Sequence, residues 1–103
     1  VIGSETITVG NAAIGFTASA LVKQSANSFE QMPVIRARMA FISVETQEVR
    51  INFDPTVTVT ATTNGHALAV ASSMIIDGTA TLADVRFIKT GGSDAAVRVT
   101  YYG

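Results

Sequence analysis

The sequence predicts an all-β domain, an antiparallel β-sandwich or jelly-roll-like fold of about eight to nine short strands, with residues 1–103 forming a single unit. Three observations predict it. Val, Ile and Thr number 12, 9 and 13, so 34 of 103 residues are β-branched, while Leu occurs three times. Such side chains are stiff at χ1 and fit a pleated, half-buried surface better than a helix. Apolar and polar residues also alternate with period two in many short runs. Turn residues punctuate these runs about every 8–12 positions, the spacing of sandwiches and barrels.

The elements follow in order. Thr6-Ile7-Thr8-Val9 alternates and stops at Gly10-Asn11, and a longer extended run is expected from Ile14 to Val22. Lys23 to Gln31 is the one sizeable polar stretch, a loop or a single helical turn, closed by Met32-Pro33 because proline biases its predecessor away from helix. Val34 to Glu45 reads as the clearest strand, with Ile35, Ala37, Met39 and Phe41 on one face and Arg36, Arg38 and Ala40 on the other. Val49, Ile51 and Phe53 alternate with Arg50 and Asn52 in the next strand, and Thr46-Gln47-Glu48 is short enough for a hairpin between the two. Asp54-Pro55 marks a turn, Thr56 to Thr60 alternates again, and Thr63-Asn64-Gly65 is a turn because Asn-Gly readily supplies positive φ. Ala67–Val70, Met74–Ile76, Val85–Lys89 and Ala96–Tyr102 are the remaining strands, separated by Asp77-Gly78 and by Gly91-Gly92-Ser93-Asp94. Ala80 to Asp84 has room for one helical turn. The expected core is Ile35, Met39, Phe41, Val49, Ile51, Phe53, Phe87, Val97 and Val99.

Composition limits the chemistry. A chain of this length buries roughly 60–70% of its unfolded surface, enough for one modest core. With no cysteine, disulfides, thiolate metal sites and a Cys nucleophile are excluded. Net charge is −1, so there is no electrostatic footprint for nucleic acid. Charged residues make up 15% of the chain against about 25% in ordinary domains, while 48% are hydrophobic. A surface this poor in charge is either rich in Thr, Ser and Ala or partly covered by a partner. Val1-Ile2-Gly3-Ser4-Glu5 carries neither the basic nor the apolar region of a signal peptide. No run approaches the roughly 18 apolar residues of a membrane span.

No catalytic, cofactor-binding or metal-binding residues are expected. His66, the sole histidine, follows Asn64-Gly65 and reads as a turn-exit side chain, since no second His and no Cys exists to complete a metal site. Glu5, Glu30, Glu45, Glu48, Asp54, Asp77, Asp84 and Asp94 fall mostly at turns and strand ends, and no spacing pairs two of them in a cleft. Calcium-loop, phosphate-loop and nucleophile-elbow patterns are absent, and Gly91-Gly92 reads as a hairpin. Arg36, Arg38 and Arg50 share one sheet face if the strands around Thr46 to Glu48 pair. That stripe is either a surface for an acidic partner or an ordinary solvated face balanced by Glu45 and Glu48.

From Arg36 onward the chain carries Ala40-Phe41-Ile42-Ser43-Val44, Val49-Arg50-Ile51-Asn52-Phe53, Asp54-Pro55-Thr56 and Asn64-Gly65-His66-Ala67-Leu68. Ile76-Asp77-Gly78, Val85-Arg86-Phe87-Ile88-Lys89-Thr90 and Ser93-Asp94-Ala95-Ala96-Val97-Arg98-Val99-Thr100-Tyr101-Tyr102 follow. In order and spacing these pieces resemble small all-β structural proteins of tailed bacteriophages, the head-decoration or cement and tail-associated components. The chain departs from that pattern where Asp54 runs directly into Pro55, and its N-terminal third matches none of it.

The resemblance implies a non-enzymatic structural protein of the virion, a capsid cement or decoration protein on the capsid exterior. The alternative is a neck-, tail- or fibre-associated adaptor, or a carbohydrate- or receptor-binding sandwich. Sugar-binding platforms usually expose Trp or Tyr, and this chain has no Trp and only the adjacent Tyr101 and Tyr102. The partners implied are the major capsid protein, other virion proteins and further copies of the chain, with trimers favoured because shells offer three-fold positions. Neither nucleic acid nor membrane is among them, and no cofactor is implied. Val1–Gly10 and Lys23–Pro33 are the expected docking segments, since they fall largely outside the resemblance.

Overall fold

The computed structural model describes residues 2–24, 34–54, 56–60 and 63–103. It is all-β, with two antiparallel sheets packed as a sandwich. The strands are β1 (Gly3–Val9), β2 (Val22–Gln24), β3 (Val34–Arg36), β4 (Met39–Glu45), β5 (Val49–Asn52), β6 (His66–Leu68), β7 (Ser73–Asp77), β8 (Arg86–Lys89) and β9 (Ala95–Tyr102). Sheet one has the order β1-β9-β4-β7, sheet two the order β6-β5-β8, and β2 and β3 pair by themselves.

The alternation of apolar residues decides which side of each strand is covered. Ile7 and Val9 of β1, Ala40, Ile42 and Val44 of β4, Ile76 of β7 and Ala95, Val97, Val99 and Tyr101 of β9 are buried on sheet one. Val49, Ile51 and Phe87 answer them from sheet two, in one continuous cluster. Phe16, on the segment after β1, joins the layers. Its ring meets Phe87 and Tyr101 edge-on, with centroids 5.5 Å from each, the arrangement that ring quadrupoles favour.

The chain changes sheets repeatedly. After β1 it leaves sheet one and runs along the outer edge of β8, where Ile14 and Phe87 exchange backbone hydrogen bonds of 2.9 and 2.8 Å. The connections β4–β5, β6–β7, β7–β8 and β8–β9 all cross between the sheets, and β5–β6 stays within one. At β5–β6 the turn uses Gly65 at φ 92, where an added Cβ would strike the Ile51 carbonyl. A helix α1 (Thr79–Asp84) carries the β7–β8 crossing, begins after Gly78 at φ 103, and inserts Leu82 into the core.

Several expectations are corrected. The strand read as Val34–Glu45 is two strands, broken at Ala37-Arg38, and Ala37 and Ala40 are both buried. The break shifts the alternation by one, so Ala40, Ile42 and Val44 face inward. Met39 is only half-buried and Phe41 is 43% exposed. Phe53 packs against the core from a half-buried position, while the side chain of Ile35 lies outside the described residues. The hairpins expected at Thr46-Gln47-Glu48 and at Gly91-Gly92 are arches between sheets. The run Ile14–Val22 is a single bridge at Ile14, a 3-10 turn at Ala18–Leu21 and the start of β2. Residues 56–60 form no strand, because Asn52 and Asn64 donate side-chain hydrogen bonds to the Val57 and Thr58 carbonyls, each 2.9 Å. Lys23 and Gln24, expected to begin the polar loop or helical turn, belong to strand β2, and the rest of that stretch with the Met32-Pro33 stop, residues 25–33, lies outside the described residues.

Candidate functional site

His66 opens β6 with its side chain exposed and lies opposite Ile51 in the ladder. Among the described residues no three His, Asp or Glu side chains come together as a metal site would need. Most of the described carboxylates hold the fold itself. Glu5 accepts from the Thr17 hydroxyl at 2.6 Å, from the Thr17 N–H at 3.2 Å and from the Tyr101 hydroxyl. Glu48 accepts from the Thr90 hydroxyl at 2.9 Å, and Asp94 pairs with Lys89 at 3.1 Å. Glu45 pairs with Arg98 at 3.4 Å on the exposed face. Asp54 accepts from the Thr56 hydroxyl and N–H, which hold its carboxyl below the usual value.

The Glu5 cluster ties the Phe16 segment down. Tyr101 stands on the central strand β9 with its ring fully buried, and its phenol is pushed well above the ordinary range, first by burial and then by the hydrogen bond and charge of Glu5. A phenol so held stays protonated and donates to Glu5, which in turn fixes Thr17 beside Phe16.

The arginine stripe does not form. Arg36 and Arg38 are exposed near the start of β4, whereas Arg50 lies in the other sheet and donates to the Gly65 carbonyl at 3.1 Å. An apolar cleft of about 260 Å³ opens between the 3-10 turn and α1, lined by Ala18, Leu21, Ala37 and Leu82 with Arg36 at its border. Among the described residues it carries a single charged group and no acid–base pair.

The most extensive functional candidate is the outer face of sheet one. Ladder register brings Ser4, Thr100, Phe41 and Ile75 into one row across the sheet. Thr6, Arg98, Ser43 and Ser73 form the next row, and Tyr102, Met39 and Asp77 line up on the other side. Hydroxyls therefore dominate the β1 side, and an apolar patch of Met39, Phe41 and Ile75 dominates the β7 side. Arg98 is neutralised by Glu45, leaving Asp77 as the other charge on these rows. Sequence reasoning missed this face because it had turned Phe41 and Met39 inward.

The sequence matches no protein-family model, no curated protein and no solved structure.

Proposed function

We propose that this chain is a non-enzymatic structural protein of a phage virion, a capsid cement or decoration protein that works through repeated contacts on the shell exterior. The observation that carries the reading is the outer face of sheet one, nearly free of unpaired charge and composed of hydroxyl and apolar side chains. Thr and Ser tolerate water and tight packing alike, and Phe41 and Ile75 supply apolar area worth roughly 25 cal/mol per Å² when covered. The resemblance of the Arg36–Tyr102 segment to phage structural proteins supplies the setting.

The accessible surface is 5975 Å², so two or three contacts taking about 800 Å² each would cover a large part of it. Repetition on a lattice then converts modest contacts into firm attachment. Purified chain added to particles stripped of it should rebind at saturating stoichiometry, and Thr6→Lys with Thr100→Lys should abolish rebinding without lowering the melting temperature. Rebinding unaffected by both substitutions would remove this face from the reading. Binding instead to a glycan or host surface would favour the receptor-binding alternative.

A further inference from the structure

We infer that β7 is a self-pairing edge, through which two copies of this chain join their four-stranded sheets into one continuous sheet about a two-fold axis at Ile75. The inference is independent of the virion reading.

Among the described residues β7 pairs only with β4, so its other edge is open. The polarity of that edge follows from hydrogen bonds at the ends of the ladder. Val44 donates to the Ser72 carbonyl at 2.9 Å, and Gly78 donates to the Arg38 carbonyl at 2.7 Å. In an antiparallel ladder the N–H and C=O of a residue point to the same side, and sides alternate along the strand. Met74 and Ile76, in step with Ser72 and Gly78, therefore turn their backbone groups to β4. Ser73, Ile75 and Asp77 turn theirs outward.

An open edge is normally blocked by Lys, Pro, a bulge or inward charge. β7 reads Ser73-Met74-Ile75-Ile76-Asp77 and has no Lys, Pro or bulge. Its central outward side chain, Ile75, is 58% exposed, and Phe41 lies directly opposite it on β4 at 43%. These are the two large side chains of sheet one that are most in need of cover.

The occupant is argued from register. When β7 meets an antiparallel copy of itself centred on Ile75, Ile75 faces the partner's Ile75 and Ser73 faces the partner's Asp77. Every outward N–H then finds an outward C=O, and both Asp77 carboxylates meet a serine hydroxyl. Centring on Asp77 instead would oppose two carboxylates and leave Ser73 unpaired. The net charge of −1 adds little repulsion between copies. The edge β1 has no comparable apolar flank, since Ser4, Thr6 and Thr8 point outward there.

A five-residue edge gives a contact at the small end of the range, so the dimer is weak and concentration-dependent. Sedimentation velocity on the full chain from about 10 µM to 1 mM should show a monomer–dimer equilibrium. Ser73→Asp places like charges together twice per dimer and should weaken it roughly tenfold, while Ser73→Lys should strengthen it by a similar factor. Ile75→Lys should give monomer with an unchanged melting temperature. Hydrogen exchange should slow with concentration at the Ser73, Ile75 and Asp77 amides, and stay constant at Met74 and Ile76. A monomer throughout the range overturns the inference. So does a dimer indifferent to the Ser73 charge, or protection growing at β1 instead.

Discussion

Tyr101 and Glu5 stand 96 positions apart in the chain and meet through one hydrogen bond. Nothing in the local sequence of either residue announces the other, because the pairing exists only once β1 and β9 lie side by side. Burial, with help from Glu5, keeps the Tyr101 phenol above its ordinary value of 10.0. The folded state then retains a proton that the unfolded chain loses near that value. The associated stability is present in full below about pH 10 and declines as pH rises further. The melting temperature of the wild type should fall above that pH, and Tyr101→Phe should flatten the fall. At neutral pH the same substitution should cost about 1–3 kcal/mol in denaturant titrations, because Glu5 loses its buried donor.

The Ala37-Arg38 break gives a second residue-scale test. Ile42 is fully buried and Phe41 is 43% exposed. Ile42→Ala should therefore cost about 2–5 kcal/mol, and Phe41→Ala should cost less than about 1 kcal/mol. The reverse order would restore the facing that simple alternation from Val34 suggests. That facing was illegible because period-two reading assumes an unbroken strand, and one break transfers every later side chain to the opposite face.

At the scale of elements, strands were legible and connections were not. β5, β7, β8 and β9 fall within a residue or two of the runs that alternation marks, and Gly65 and Gly78 take the positive φ that their turns need. A three- or four-residue connection, however, serves equally as a hairpin within a sheet or an arch between sheets, and composition does not separate them. Two arches carry strain where glycine would be expected. Thr46, after β4, has φ 68, and Ala71, before β7, has φ 69. Left-handed geometry costs an L-residue roughly 1–2 kcal/mol, partly offset by the extra unfolded-state freedom that glycine brings. Ala71→Gly and Thr46→Gly should each raise the urea midpoint by up to about 1 kcal/mol of stability at unchanged m. A lowered midpoint would mean that the side chains make contacts worth more than the strain.

β1 gives the N-terminal segment, expected to dock, a structural role as well. Gly3–Val9 is an integral strand along β9, and Ile7 and Val9 belong to the core. Deleting residues 1–10 would remove an edge of sheet one before it tested docking. Substitution at the outward Ser4, Thr6 and Thr8 tests docking while leaving the buried residues in place.

For the whole molecule, the β-branched excess and the turn spacing anticipated the sandwich because both express the same demand, short strands covered on one side. The candidate site was far less legible. Motif reading looks for residues that act on a substrate, whereas a contact face is defined by register across strands that are distant in sequence, as Ser4, Thr100, Phe41 and Ile75 are. The central claim is that this face attaches the chain to a shell in many copies. Cryo-electron microscopy of intact particles carrying the chain tests it most directly. The account predicts density for the sandwich at every equivalent lattice position of the capsid exterior, with the Thr6–Phe41 face against the shell or a neighbouring copy. Density confined to a few copies at the neck, tail or fibre would contradict it.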